Sequence, residues 1–306
     1  MSEKRENFSR RAALGTAALL AAGAGLGTGI ALGTPPAPAV IQTGERRRFQ
    51  GKVVLITGAT SGIGAAAAKM FAAEGGRVAF CGRRVECGAM VEQDIRRAGG
   101  EATYIRADVR VERDVKAFVD AAIQKYGGLD VCFNNAGITI EKPIQDMTAA
   151  EWDDVVNTDL RGNFLALKYE IPHLVARGGG VVVVTSSSNA LATEQHRSAY
   201  TSAKRGLVGF VQVAAQELYQ HNIRVNALIP GTTDTELVRR AAGMIQAPDA
   251  VWEVAAAQWA KSNVAVAHRM AKPEEIATFA LTLASSDFPY MTGAQMVIDG
   301  GKTTYA

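Results

Sequence analysis

Cysteine is scarce: Cys81, Cys87 and Cys132 are the only three in 306 residues, and none falls at a metal-ligand spacing. The pattern gives no basis for a metal module or a disulfide scaffold. Cys81 and Cys132 lie in expected buried strands, where a free thiol acts as a small hydrophobe. Long runs of one charge are also missing, with 33 Lys and Arg set against 30 Asp and Glu. The triplet Arg46 to Arg48 reads as a solvated linker, so no nucleic-acid partner is indicated. No internal repeat is present. What remains is 48% hydrophobic residues, enough to fill the core of one large α/β domain or two small ones.

The N-terminus differs in composition from the rest of the chain. Ser9, Arg10 and Arg11 precede an uncharged Ala/Gly/Leu stretch from Ala12 to Gly33, then Pro35, Pro36 and the small residues Ala37, Pro38 and Ala39. A basic start, a modestly apolar stretch and a small-x-small site make a signal peptide over residues 1–39, and the paired arginines resemble the twin-arginine type. The expectation is an exported protein, periplasmic or membrane-associated in a bacterium, touching the membrane only through this signal. An uncleaved anchor and a disordered tail are the alternatives; the many glycines and alanines make a weak membrane span. Residues 40–49 form a linker. The twin-arginine route, as that resemblance implies, moves proteins already folded, often with cofactor bound.

From Lys52 onward strands alternate with helices. Strands are expected at Val53 to Thr57, Arg77 to Cys81, Tyr104 to Ala107, Asp130 to Phe133, Val181 to Val184, Arg224 to Ile229 and Gln295 to Ile298. Helices are expected at Gly62 to Glu74, Val85 to Ala98, around Trp152 to Ala176, and at Ser198 to Gln220. This pattern predicts an α/β domain over residues 50–306, a doubly wound parallel sheet of about seven strands with helices on both faces. The first turn, Thr57 to Gly64, has glycines where a chain turns sharply and lets a pyrophosphate approach the backbone. A tight turn without ligand is the plainer alternative. After the second strand, where an acidic residue would bind an adenine-ribose hydroxyl, stand Gly82, Arg83 and Arg84. An arginine there suits a ribose 2′-phosphate and favours NADP over NAD; otherwise the two arginines simply open a helix in solvent.

A second focus is the run from Thr185 to Lys204. Its hydroxyls follow a β-branched strand at the sheet's carboxyl edge, where ligands bind in open α/β sheets. Tyr200 and Lys204 fall one turn apart on one helix face. A cation held beside a phenol favours the phenolate and makes the pair an acid/base device. A lone Tyr-x-x-x-Lys is more often a surface pair, so the rest of the chain must support the reading.

Taken in order, Thr57-Gly58-x-x-x-Gly62-x-Gly64, Asp108, Asn134-Asn135-Ala136-Gly137, Ser187, Tyr200-x-x-x-Lys204, Pro230-Gly231 with Thr235, and Asp299-Gly300-Gly301 resemble the classical short-chain dehydrogenase/reductase family, from Gln50 to Gly301. The resemblance implies a single Rossmann-fold domain. It implies that Tyr200 is the general acid/base, that Lys204 supports it and holds the nicotinamide ribose, and that Ser187 bonds the substrate oxygen. Gly58, Ser61, Gly62, Ile63 and Gly64 would line the pyrophosphate, and Arg83 the 2′-phosphate. Asp108 and Val109 would line the adenine, Asn135, Ala136 and Gly137 the ribose side, and Pro230, Gly231, Thr233 and Thr235 the carboxamide. Asn134 is expected to be structural.

Two positions depart from the family. Asp159, in Asp159-Leu160-Arg161-Gly162-Asn163-Phe164, replaces the asparagine that orders a water between the lysine and solvent. A carboxylate can hold that water, and can also pair with Lys204. Ala190 replaces a usual glycine. The segment 232–268 is expected to form the substrate lid. It lacks a charged cluster suited to a phosphate or acyl-carrier partner, so a small neutral carbonyl compound or alcohol is the expected substrate. The resemblance also implies a homotetramer, with the helices from Trp152 and Ser198 at one interface. Two alternatives stay open: an NAD-dependent alcohol dehydrogenase of the same family, and a non-catalytic nucleotide-binding sensor or scaffold.

Overall fold

The computed structural model describes residues 47–304; the expected signal peptide over residues 1–39 and most of the expected linker, as far as residue 46, lie outside them. Seven strands form one sheet: β1 (Val53–Thr57), β2 (Arg77–Gly82), β3 (Glu101–Arg106), β4 (Val131–Asn134), β5 (Gly180–Thr185), β6 (Ile223–Pro230) and β7 (Gln295–Ile298). All six pairings are parallel and the order is β3-β2-β1-β4-β5-β6-β7. The order reverses between β1 and β4, which opens a crevice at their carboxyl ends.

The helices are α1 (Gly62–Ala73), α2 (Val85–Arg97), α3 (Glu112–Tyr126), α4 (Ala149–Val156), α5 (Gly162–Arg177), α6 (Ser198–Leu218), α7 (Glu236–Ala241), α8 (Asp249–Asn263) and α9 (Pro273–Ala284). Side chains alternate across a strand, so β1 feeds two cores. Val53 and Leu55 pack with α3, α5 and α6 on one face; Val54 and Ile56 pack with α1, α2 and α9 on the other. The central strands are buried on both faces, which is why they read as continuous apolar runs rather than alternating ones.

Most expected boundaries shift by a residue or a few. The single helix expected around Trp152 to Ala176 is α4 and α5 joined by a π turn at Asn157–Arg161. Helices α3 and α9 lie where no element is expected from the sequence. Among the described residues no helix is long and apolar enough to cross a membrane, and no cluster of His, Cys, Asp and Glu has metal-site geometry. The three cysteines are free.

Candidate active site

Four strands end level with one another: Thr57 is in register with Asn134, Asn134 with Val184, and Thr185 with Leu228. The loops that leave those ends meet. Gly58 has φ +69°, and a Cβ there would lie 2.6 Å from the Ala136 Cα, so only glycine allows the two loops to touch. Asn135 ties them, its Nδ2 donating to the Gly58 carbonyl at 3.3 Å while its Oδ1 accepts from the Thr185 hydroxyl at 3.3 Å. The Thr57 hydroxyl accepts from the backbone N–H groups of Asn135 and Ala136.

The glycine loop leads into α1, whose N-cap Ser61 makes no side-chain capping bond and whose first turn carries no acidic residue. Its leading amides, beside Gly62, Ile63 and Gly64, have the open, positively polarised character that suits a phosphate group. Across the crevice Thr235 caps α7, and its methyl would lie 3.2 Å from a Cβ at Gly62. Pro230 ends β6, Gly231 donates to the Ile298 carbonyl at 2.9 Å, and Thr233 Oγ1 donates to the Gly231 carbonyl at 3.1 Å. These residues suit a dinucleotide laid from α1 toward β6, because the first turn of α1 has neither a capping side chain nor an acidic residue to compete with a phosphate.

At the second strand, a Cβ on Gly82 would lie 2.5 Å from the Thr60 methyl, so no aspartate fits there without displacing Thr60. Arg83 is exposed and makes no hydrogen bond to a described residue. Arg84 instead reaches the glycine loop, donating to Ser61 Oγ at 2.5 Å and Thr60 Oγ1 at 3.2 Å, and it pairs with Glu236 on α7. Asp108 is nearly buried and is held by Arg110, whose Nε lies 2.9 Å from Oδ1 and whose other arm pairs with Asp154 of α4. Burial alone would raise the Asp108 carboxyl, but hydrogen bonds from Arg110 bring it below its ordinary value. Val109 packs into the core against Gly162.

The second cluster gathers at the ends of β4 and β5. Lys204 is 2% exposed; its Nζ donates to the Thr185 carbonyl at 2.9 Å and stands 5.5 Å from the centre of the Tyr200 ring. Ser186 Oγ donates to the Lys204 carbonyl at 2.8 Å, fixing α6 to the strand end. Ser187 Oγ accepts from the Asn189 N–H at 3.2 Å and has only a long 3.5 Å contact to Asn189 Oδ1, so its hydrogen is available to another acceptor. Ala190, buried, closes the turn.

Asp159 sits in the π turn and is fully buried, its Oδ1 accepting from the Ile138 N–H at 2.8 Å and its Oδ2 lying 3.2 Å from Lys204 Nζ. That second contact is an ion pair without hydrogen-bond alignment. Burial raises the Asp159 carboxyl above its ordinary value despite the Lys204 charge and the Ile138 N–H. For Lys204, burial works downward, but attraction to Asp159 and Tyr200 carries the ammonium above its ordinary value. Gly137 makes room for the pair: a Cβ there would meet Asp159 Oδ2 at 3.0 Å and Lys204 Nζ at 3.3 Å.

The structure thus brings Gly58, Gly62, Asn135, Ala136, Gly137, Asp159, Tyr200, Lys204 and Thr235 to one crevice, with Ser187 on the same strand edge. It leaves Arg83 outside the loop contacts and engages Asp108 internally. In the sequence Arg84 is marked only as the neighbour of Arg83, without a role of its own, and a second network around Asn189 leaves no signal. Arg197 donates to Asn189 Oδ1 at 3.3 Å and pairs with Glu141 and Glu194, and Glu194 pairs with Lys302 near the C-terminus. In the segment 232–268, Trp252 on α8 donates to Asp234 at 2.7 Å, and Lys302 lies 5.7 Å from the ring of Trp259.

Comparison with known proteins agrees with this layout. The short chain dehydrogenase family matches residues 52–245. Cyclohexanol dehydrogenase of Acinetobacter sp. (strain SE19) is 33% identical over 84% of this chain and 97% of its own length. The A-factor type gamma-butyrolactone 1'-reductase (1S-forming) of Streptomyces virginiae is 37% identical over 82% and 95%. The crystal structure of levodione reductase superposes with a TM-score of 0.78 at 33% identity, covering 84% of this chain and 100% of that one. Order of motifs, sheet topology and these likenesses agree, and the chain belongs to the short-chain dehydrogenase/reductase family of nicotinamide-dependent oxidoreductases.

Proposed function

We propose that the chain is an NADP(H)-dependent oxidoreductase that interconverts a small neutral ketone and the corresponding secondary alcohol, with Tyr200 as general acid/base. The observation that carries this reading is the buried Lys204 held at the end of β5 beside the Tyr200 ring, with Ser187 and its available hydroxyl hydrogen on the loop that leaves the same strand. A bound nicotinamide supplies or takes the hydride. In reduction Tyr200 Oη gives its proton to the carbonyl oxygen and Ser187 Oγ donates a hydrogen bond to the same oxygen; in oxidation the phenolate takes the proton back. Lys204 stays charged and holds the nicotinamide ribose. The names of relatives acting on cyclohexanol and levodione favour a cyclic alcohol or ketone.

The NADP assignment rests on Gly82, which excludes an acidic side chain, and on Arg83, an exposed guanidinium that remains for a 2′-phosphate once Arg84 is taken by Ser61 and Glu236. A homotetramer is supported by Trp152, Phe164 and Val213, large apolar side chains left exposed on α4, α5 and α6; a monomer in light scattering would contradict it. Titrating the chain lacking residues 1–39 with NADPH and NADH, by nucleotide fluorescence, tests the cofactor. NADPH is expected to bind more tightly, with that preference falling about tenfold or more in Arg83→Ala. Equal or tighter binding of NADH overturns the assignment, and tight binding without turnover of any ketone or alcohol favours a sensor.

A further inference from the structure

Asp159 and Lys204 form a direct ion pair that solvent does not reach, with 0% and 2% of each residue exposed. The groups facing the pair are few. From the loop after β4 come only the Ile138 N–H and Gly137, and from β5 the Thr185 carbonyl. Tyr200 comes from α6 itself. From the π-turn side Asn163 Nδ2 donates to the Asp159 carbonyl at 2.6 Å, and Asp154, a turn away, is neutralised by Arg110. No second cation among the described residues reaches Asp159. Within a low-dielectric pocket the two opposite charges largely cancel at a distance, so a phenol beside the ammonium feels much less than a full positive charge.

We propose that Asp159 is a positioning residue that serves as the counter-ion of Lys204 and withdraws part of its field from Tyr200, setting the pH at which the site begins to oxidise alcohols. This rests on the reading of Tyr200 as the acid/base. Replacing the carboxylate by the amide of the same shape frees the ammonium to stabilise the Tyr200 phenolate. In Asp159→Asn the midpoint of the rising limb of kcat/KM for alcohol oxidation is therefore expected to move to lower pH, by roughly one unit or more. An overall loss of rate without a moved midpoint is what a merely structural role would give.

The experiment pairs that profile with a turnover-free readout, tyrosinate absorbance against pH in the cofactor-bound protein, with Tyr200→Phe as the blank for each background. A tyrosinate midpoint that falls in Asp159→Asn supports the proposal even if no substrate is turned over, which separates its failure from failure of the assigned reaction. An unchanged or raised midpoint overturns it. Should Asp159→Asn not fold, Gly137→Ala gives the second test. Its methyl would press on both Oδ2 and Nζ, at 3.0 and 3.3 Å, and loosen the pair; the same downward shift is expected at smaller size, and no shift there overturns the proposal.

Discussion

Two carboxylates, Asp159 and Glu170, lie on one continuous helical run, about three turns apart, and both are fully buried. Asp159 meets an ammonium and a backbone N–H. Glu170 meets no cation: its Oε2 accepts from Asn134 Nδ2 at 2.9 Å, and its other oxygen has no partner. Burial pushes the Glu170 carboxyl up to about 7, with the Asn134 amide and the Cys132 thiol pulling weakly the other way. Equal burial therefore yields two kinds of group. One is half of an ion pair inside the crevice at the strand ends; the other is an acid, neutral over much of the pH range, that joins α5 to the root of the loop carrying Asn135 to Gly137.

The two carboxylates differ most when the cation is removed. Lys204→Met leaves Asp159 as a lone buried charge, and urea denaturation at neutral pH is expected to show a loss of about 3 kcal/mol or more. The loss should shrink in acid as Asp159 takes up a proton. A change below about 1 kcal/mol would mean that Asp159 is held by something other than the lysine.

Glu170→Gln is expected to act in the opposite sense. Because the folded carboxyl titrates near 7 and the unfolded one near 4.5, the native state keeps a proton that the unfolded chain has lost between those values. Stability conferred by that proton is full below the lower value and is lost as pH rises through the upper one. A shift of this size corresponds to about 3 kcal/mol as an upper figure. The glutamine variant should therefore be more stable than the parent at pH ~8, by at most that amount, and the gain should fade toward pH ~5. Denaturation midpoints across that range check it; a gain independent of pH would mean that Glu170 is already neutral throughout.

Much of the site was legible because its residues sit in fixed positions relative to strand ends. The glycine turn after β1, the hydroxyls after β5 and the Tyr-x-x-x-Lys spacing each follow from a strand or helix that periodicity marks. What was not legible depends on side-chain direction or on small shifts of backbone register. Two adjacent arginines look alike in sequence, yet Arg84 turns into the glycine loop while Arg83 faces solvent. The π turn at Asn157–Arg161 has no compositional signature, although it is the segment that carries Asp159 to Lys204. Glu170 did leave a trace: one turn to either side stand the buried Ala166 and Leu174, so helical periodicity places an acid on an apolar face.

The account turns on Tyr200 exchanging a proton with the reacting oxygen while Lys204 stays charged beside it. The most direct measurement is a single-turnover experiment in which protein preloaded with NADPH is mixed with a cyclic ketone and the nicotinamide absorbance is followed, for the parent chain and for Tyr200→Phe. Hydride transfer in the parent with a loss of about a thousandfold in the variant, at unchanged NADPH affinity, is the predicted result. Equal rates in the two proteins would contradict it.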